Sequence, residues 1–284
     1  MRALIFGPDG QVGRAIIKYA PIGWDLFPVS RREVDLSHLQ KISDTIKTIM
    51  PDLIINAAAY TAVDNAETDE DIATIINGIA VGVISQAAKE VGSYFIHIST
   101  DYIFDGTSRK PYTPYDKPCP INAYGRSKLL GEKSVVGSGL VVRTSWVYSC
   151  HGQNFLNTIL RLLNEKSSIR VVNDQIGAPT SSEDLAKAVW ELEAYRSIGI
   201  LHYTNSGFTN RFEFASLIRD FGCQFGLVPK SSILLPISSA EYTTKAARPM
   251  YSILDTKETD ALIGKSRDWK AALESVIKEV SKNA

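Results

Sequence analysis

Tyr124 and Lys128 place a phenol and an ammonium four residues apart. On a helix that spacing sets both side chains on one face, about a turn from each other. Ala123 before them and Leu129, Leu130, Glu132 and Lys133 after them are mostly good helix formers. A free phenol keeps its proton to about pH 10 and relays protons poorly at neutrality. A nearby ammonium favours the phenolate and brings that value down. The pair therefore reads as a general acid with its tuning cation, and Thr100 is the hydroxyl expected beside the phenol. Among 12 tyrosines one such pair is a weak signal, and a surface Tyr next to a solvated Lys is the competing reading. The segments that must position the pair carry the argument.

Ala3-Leu4-Ile5-Phe6 is a short apolar run of the kind found in a buried parallel strand. Gly7, Gly10 and Gly13 follow with G-x-x-G-x-x-G spacing, then an apolar-periodic helix from Ala15. Strand, glycine turn and helix form the context of a dinucleotide fingerprint. The glycines allow a tight turn, close approach of backbone to a pyrophosphate, and close helix–strand packing. Gln11 and Val12 lie where helix N-terminal amides meet phosphate. The next strand, 25–29, ends in Ser30-Arg31-Arg32 where an acid would bind a ribose 2′-hydroxyl. A hydroxyl and guanidinium there suit a 2′-phosphate, so NADPH is expected, with NADH as the alternative. Asp35 and Leu36 would flank the adenine, and Ser37 would cap the helix that follows.

Leu53–Asn56 is a further buried strand, running into Ala57-Ala58-Ala59-Tyr60-Thr61. Small side chains at the carboxyl end of a strand leave room for a flat ligand. A helix is predicted over roughly 69–91 and a strand over 94–98, leading to Ser99-Thr100-Asp101. Repeated strand–helix alternation to about residue 145 predicts an α/β, doubly wound parallel Rossmann-type sheet. We expect residues 1–145 to be mainly this NADP-binding domain with the catalytic residues. Residues 146–284 would be mainly a smaller C-terminal substrate-binding lobe, with segments returning to the core.

The 284 residues carry 31 Lys plus Arg against 31 Asp plus Glu, a formal charge of zero. That argues against nucleic acid or an anionic membrane surface as partner. Cys119, Cys150 and Cys223 form no C-x-x-C pair, which fits a reducing cytoplasm and no structural zinc site. No signal peptide is visible, and no apolar run was expected to approach the ~18 residues of a membrane span.

These signals coincide in one order with longer strings: GPDGQVG (7–13), NAAAYTAVDNAE (56–67), STDYIFDG (99–106), YGRSKLLGE (124–132), RTSWVY (143–148), NDQIGAPT (173–180) and ARP (247–249). In this the chain resembles the extended short-chain dehydrogenases/reductases and, within them, the dTDP-4-dehydrorhamnose reductases. The resemblance implies reduction of the 4-keto group of dTDP-4-dehydro-6-deoxy-L-mannose to give dTDP-L-rhamnose. It assigns proton donation to Tyr124, tuning and ribose binding to Lys128, and orientation of the carbonyl oxygen to Thr100. Asp101, Trp146, Asn154, Gln175 and Arg248 are the implied substrate contacts. An indole at 146 offers a flat apolar face and one N–H donor to a hexose. A guanidinium at 248 suits the substrate diphosphate.

The resemblance also marks departures. Some relatives hold a magnesium ion between subunits through acids just after the third glycine. Here those positions are Arg14 and Ala15, and only Glu183 matches that set. No metal site is therefore assigned, and a homodimer, if formed, would lack that bridge. A sugar-nucleotide dehydratase of this superfamily follows Thr-Asp with Glu, whereas this chain has Tyr102. Another 4-keto-deoxysugar, of the 6-deoxy-talose type, is an alternative substrate. A non-catalytic NADP-binding subunit, resembling the regulatory β subunit of methionine adenosyltransferase, is the alternative from another class. Joint retention of Thr100, Tyr124 and Lys128 argues against it.

Overall fold

The computed structural model describes residues 1–229 and 231–283. Its first half alternates strand and helix: β1 (Arg2–Phe6), α1 (Gln11–Lys18), β2 (Asp25–Val29), α2 (Leu39–Ile49) and β3 (Leu53–Asn56). The short α3 (Val63–Ala66) and α4 (Glu70–Thr74) lead through a π turn at Ile75–Ile79 into α5 (Ala80–Val91). Then come β4 (Tyr94–Thr100), α6 (Ala123–Val135), β5 (Leu140–Thr144) and β6 (Val147–Tyr148). The second half holds α7 (Phe155–Glu165), β7 (Ser168–Val172), β8 (Ile176–Gly177), β9 (Thr180–Ser181), α8 (Ser182–Glu193), β10 (Gly199–His202), β11 (Thr209–Asn210), α9 (Arg211–Gln224), β12 (Ile233–Ile237), α10 (Lys257–Ile263) and α11 (Trp269–Asn283).

Six strands form one sheet in the order β10-β5-β4-β3-β1-β2, every neighbouring pair parallel. Strand order reverses beside β1, which opens a crevice past the carboxyl ends of β1 and β3. Apolar side chains bury both faces. Ile5, Ile55, Ile96 and Val142 pack beneath α1 and α8, while Leu4, Ile54, Phe95 and Val141 pack beneath α2 and α5. β10 and α8 thus return from the second half to this core. A third core, around Phe214, Leu273 and Trp269, joins α7, α9 and α11 to the β7–β12 pair.

The expected helix over 69–91 is present but not uniform. At its π turn the extra residue turns Asn77 inward, where its amide bonds Tyr60 N at 2.8 Å and the Ser127 hydroxyl at 3.0 Å. Glu70–Val91 is also long and apolar enough to span a membrane, at mean hydropathy 1.4 over its best window, contrary to the sequence expectation. More than half of that window is buried against the sheet and α6, which accounts for its apolarity. Ser37 does not cap α2: its hydroxyl and amide bond Asp35 Oδ1 at 2.8 and 2.9 Å, and the helix starts after His38. Ser181 caps α8 by accepting from Asp184 N. α9 begins at Arg211, with Asn210 capping it through Glu213 N at 2.8 Å.

Candidate active site

A crevice of about 820 Å³ runs past the carboxyl ends of β1, β3 and β4. One wall is backbone. Gly7 holds φ +77°, and a Cβ there would lie 2.7 Å from Ala58 backbone atoms. A Cβ on Gly13 would lie 2.0 Å from the Gly7 carbonyl oxygen. Glycine is therefore required at both positions, and this cradle fits a dinucleotide pyrophosphate at the N-terminus of α1. Gly7, Gly10, Gln11, Val12, Ala57, Ala58, Ala59, Tyr60 and Thr61 line the crevice as expected from sequence. Gly13 sits behind the lining and lets the turn close.

At the adenosine end Arg31, Asp35 and Leu36 line the crevice and Ser30 does not. The Ser30 amide and hydroxyl both bond the Glu33 carboxylate, at 2.8 and 2.7 Å. The Ser37 amide and hydroxyl, with Arg31, hold the Asp35 carboxyl down at about 2. Arg31 meets Asp35 at 3.0 Å while its side chain stays 78% exposed.

The chemical end is built by α6 lying on β4 and β5. Glu132, Arg143 and Ser99 lock that contact in the interior. Arg143 Nη2 meets Glu132 Oε2 at 2.7 Å, and the Ser99 hydroxyl donates to Glu132 Oε1 at 2.5 Å. Asn122 caps α6 through Gly125 N at 2.7 Å, two residues before the phenol. Gly125 and Gly131 let the helix settle, since a Cβ on either would meet the Tyr102 or Asn77 carbonyl oxygen at 2.1 or 2.2 Å.

Thr100, Asp101, Tyr124 and Lys128 all face the crevice. The Thr100 hydroxyl accepts from Tyr102 N at 3.2 Å, donates to Asp101 Oδ1 at 3.1 Å, and also touches the Tyr124 phenol. Burial pushes the Tyr124 phenol well above its ordinary value, which the Thr100 contact only partly offsets. Lys128 is not among the groups that move it. Lys128 Nζ bonds the Ile98 carbonyl at 2.7 Å and lies 3.1 Å from His97 Nε2. Burial itself brings Lys128 down to about 8. Burial also lifts the Asp101 carboxyl to about 6, with Ser252 and Arg211 nearby countering part of the rise. At neutral pH the site thus presents a protonated phenol, suited to donating to an alkoxide.

The sugar side departs furthest from expectation. Trp146 lines the crevice at φ +47°, but the Arg211 guanidinium lies 3.6 Å over its ring. The indole presents a cation rather than a bare apolar face. Asn154 does not line the crevice. Its amide caps α7 through Asn157 N and bonds Gln11 Oε1 at 2.9 Å, tying the two halves together. Gln175 is spent on the Ser239 hydroxyl at 3.1 Å. Arg248 makes a two-pronged pair with Asp64, at 2.8 and 3.2 Å, behind Tyr102. Glu183 is held by Lys18 at 2.8 Å, and the same ammonium reaches Glu279 at 2.9 Å.

Arg211 is the site residue that the sequence reading missed. Its guanidinium lines the crevice beside Asp101 and Tyr102 and pairs with no carboxylate among the described residues. The available signal was Asn210 followed three residues later by Glu213, a helix-start pattern that makes Arg211 the first helical residue. Nothing local announces that this start folds back onto Trp146.

The chain matches the family described as "RmlD substrate binding domain" over residues 1–282. It is 38% identical over 295 aligned residues to a dTDP-4-dehydrorhamnose reductase of Burkholderia thailandensis, covering 99% of each chain. It is 37% identical to the Escherichia coli enzyme, covering 99% of this chain and 98% of the other. Among solved structures it is similar to a dTDP-4-dehydrorhamnose reductase from Bacillus anthracis in complex with NADP, with TM-score 0.91, 35% identity, and 98% and 99% of the two chains covered. Glycine cradle, phenol, amine and threonine hydroxyl therefore stand in a chain whose whole length aligns with reductases, and the protein belongs to the dTDP-4-dehydrorhamnose reductase family.

Proposed function

We propose that this protein reduces the 4-keto group of dTDP-4-dehydro-6-deoxy-L-mannose to give dTDP-L-rhamnose, with NADPH as preferred donor. The observation that carries the reading is the meeting of Thr100, Tyr124 and Lys128 in the crevice that the glycine turn opens. When bound, the nicotinamide supplies hydride to the carbonyl carbon. Thr100 orients the carbonyl oxygen, and Tyr124 donates its proton as negative charge develops there. Lys128 binds the nicotinamide ribose. Gly7, Gly10, Gln11 and Val12 hold the pyrophosphate, and the alanines after β3 leave room for the flat rings. Arg31, exposed and angled over Asp35, supports the preference for a 2′-phosphate. Asp101 and the edge of Trp146 bound the sugar. Arg211 meets the substrate diphosphate, because Asp64 already neutralises Arg248.

In this reading residues 1–145 mainly bind cofactor, and 146–284 mainly bind sugar nucleotide while returning α8 and β10 to the core. Lys18, lodged between Glu183 and Glu279, supplies a cation of the chain's own at Glu183, the one acid here that matches the relatives' magnesium set. A cytoplasmic setting goes with the free cysteines and the neutral charge. The test is NADPH absorbance during incubation with the 4-keto sugar made in situ from dTDP-glucose. Loss of absorbance with dTDP-L-rhamnose as product is expected. A bound but unconsumed cofactor would overturn the reading in favour of a regulatory subunit.

A further inference from the structure

Between β6 and α7 the second half of the chain sends the segment 149–154 back to the glycine turn. Gly152 and Gln153 of that segment line the crevice together with Gly7, Gly10 and Gln11. The segment is shaped largely by its own bonds. Asn154 Oδ1 accepts from Asn157 N at 3.0 Å, so the other arm of its amide is the NH₂. That arm donates to the Ser149 carbonyl at 2.9 Å and to Gln11 Oε1 at 2.9 Å. Asn157 Nδ2 holds the Gly152 carbonyl at 2.9 Å. The buried Ser149 hydroxyl lies 2.7 Å from the His151 carbonyl and 3.1 Å from Gln11 Oε1. Gly152 turns at φ +74°, a conformation that favours glycine.

We propose that Gly152 and Gln153 are further coenzyme-binding residues, which clasp the pyrophosphate against the glycine turn, and that the Gln11–Asn154 hydrogen bond is the latch of this clasp. The two ends of Gln11 then do different work. Its backbone amide serves the phosphate at the N-terminus of α1, and its side-chain oxygen holds the segment. The backbone amides of Gly152 and Gln153 bond no other backbone group among the described residues. Free N–H groups in succession beside a left-handed glycine suit phosphate oxygens, and the Gln153 side chain adds an uncharged amide donor.

The consequence concerns residence time and rests on the dinucleotide-binding part of the reading above. The glycine turn and α1 meet a pyrophosphate from one side. The segment meets it from the other, and the coenzyme cannot leave until the segment lifts. Lifting breaks the bond from Asn154 to Gln11, while the bonds from Asn157 to Gly152 and Asn154 to Asn157 travel with the segment. The latch therefore acts on the rate of release more than on the rate of entry.

The test reads binding without turnover, by stopped-flow fluorescence of NADPH on the full chain. Asn154→Ser keeps a cap for α7 but loses the arm that reaches Gln11, and Gln11→Met removes the accepting oxygen. Each should speed NADPH release by about three- to ten-fold, the worth of one hydrogen bond. The double variant should release no more than about two-fold faster than the faster single, because both break the same link. Adenosine 2′-monophosphate, which carries no pyrophosphate, should bind all four proteins alike. Unmoved release, additive effects in the double variant, or an equal loss of adenosine 2′-monophosphate overturns the clasp. Should the variants fail to fold, hydrogen exchange in the unaltered chain decides. The Gly152 and Gln153 amides should slow by about ten-fold or more on adding NADPH, and unchanged exchange overturns the proposal. If NADPH is held in this way but no 4-keto sugar is consumed, the reductase reading fails and the clasp stands.

Discussion

The two ends of the crevice are made of different material. The end at the glycine turn is backbone: glycines that admit no Cβ, helix N-terminal amides and a run of alanines, all in the segments that directly follow β1 and β3. The sugar end is side chains delivered from far apart in sequence, with Trp146 under Arg211 and Arg248 against Asp64. A site made of backbone tolerates few substitutions but changes little with ligand. A site made of side chains can be retuned one residue at a time. Tyr124 stands where the two meet, and the sharpest test of the division is to alter it alone. Tyr124→Phe removes the donated proton and leaves the glycine cradle whole. Turnover should fall by about two to four orders of magnitude while NADPH affinity stays within a few-fold, read from steady-state rates and cofactor titration. A parallel loss of cofactor affinity would show that the two ends are not separable.

The backbone end should fail as a unit. In Gly13→Ala the new methyl lies 2.0 Å from the Gly7 carbonyl oxygen, so the turn must move. We expect a loss of roughly 1–3 kcal/mol in stability, the usual cost of overpacking, together with a rise in cofactor Kd of ten-fold or more. Thermal melts with and without NADPH check both. A variant that melts normally and binds normally would mean the cradle is softer than its geometry indicates.

This division also explains what could be read from the sequence. Strands β1 to β4 and the glycine turn are local patterns, so their positions follow from spacing. That Thr100, Tyr124 and Lys128 line one crevice was legible because Thr100 ends a strand and Tyr124 and Lys128 share a helix face. Three expected ligand groups share a physical feature, in that each polar side chain has a partner within the chain. Ser30 turned to Glu33, Asn154 to the α7 cap and Gln11, and Arg248 to Asp64. Such choices depend on which segments fold together. At Tyr124, helical spacing placed Lys128 on the right face but could not show the desolvation that raises the phenol or the histidine beside the amine. Arg211 escaped because its target, Trp146, lies 65 residues away in sequence.

Arg211→Met measures the side-chain end directly. Methionine keeps much of the apolar stem over Trp146 and removes the charge. A charge-assisted hydrogen bond to phosphate contributes about 1.5–3 kcal/mol, so KM for the sugar nucleotide should rise by roughly ten- to a hundred-fold. NADPH affinity should not change, and kcat should move little. Equal damage to kcat and KM would instead make Arg211 part of the catalytic geometry. Arg248→Met should cost less, because Asp64 already occupies that guanidinium.

The smallest effect is expected at the far end of the backbone wall, where one side chain intrudes on it. Arg31 is 78% exposed and bonded to Asp35, so solvent and that carboxylate both screen its charge. Arg31→Ala should weaken NADPH by about three- to ten-fold and leave NADH nearly unchanged, reducing the preference rather than reversing it. Reversal is not expected, because Asp35, held ionised by Ser37 even without Arg31, remains beside the adenosine in both cases. Competition between the two coenzymes at fixed sugar concentration reads the ratio. If the ratio is unmoved, selection of the 2′-phosphate falls to backbone as well, and the cofactor end contains no side chain that discriminates.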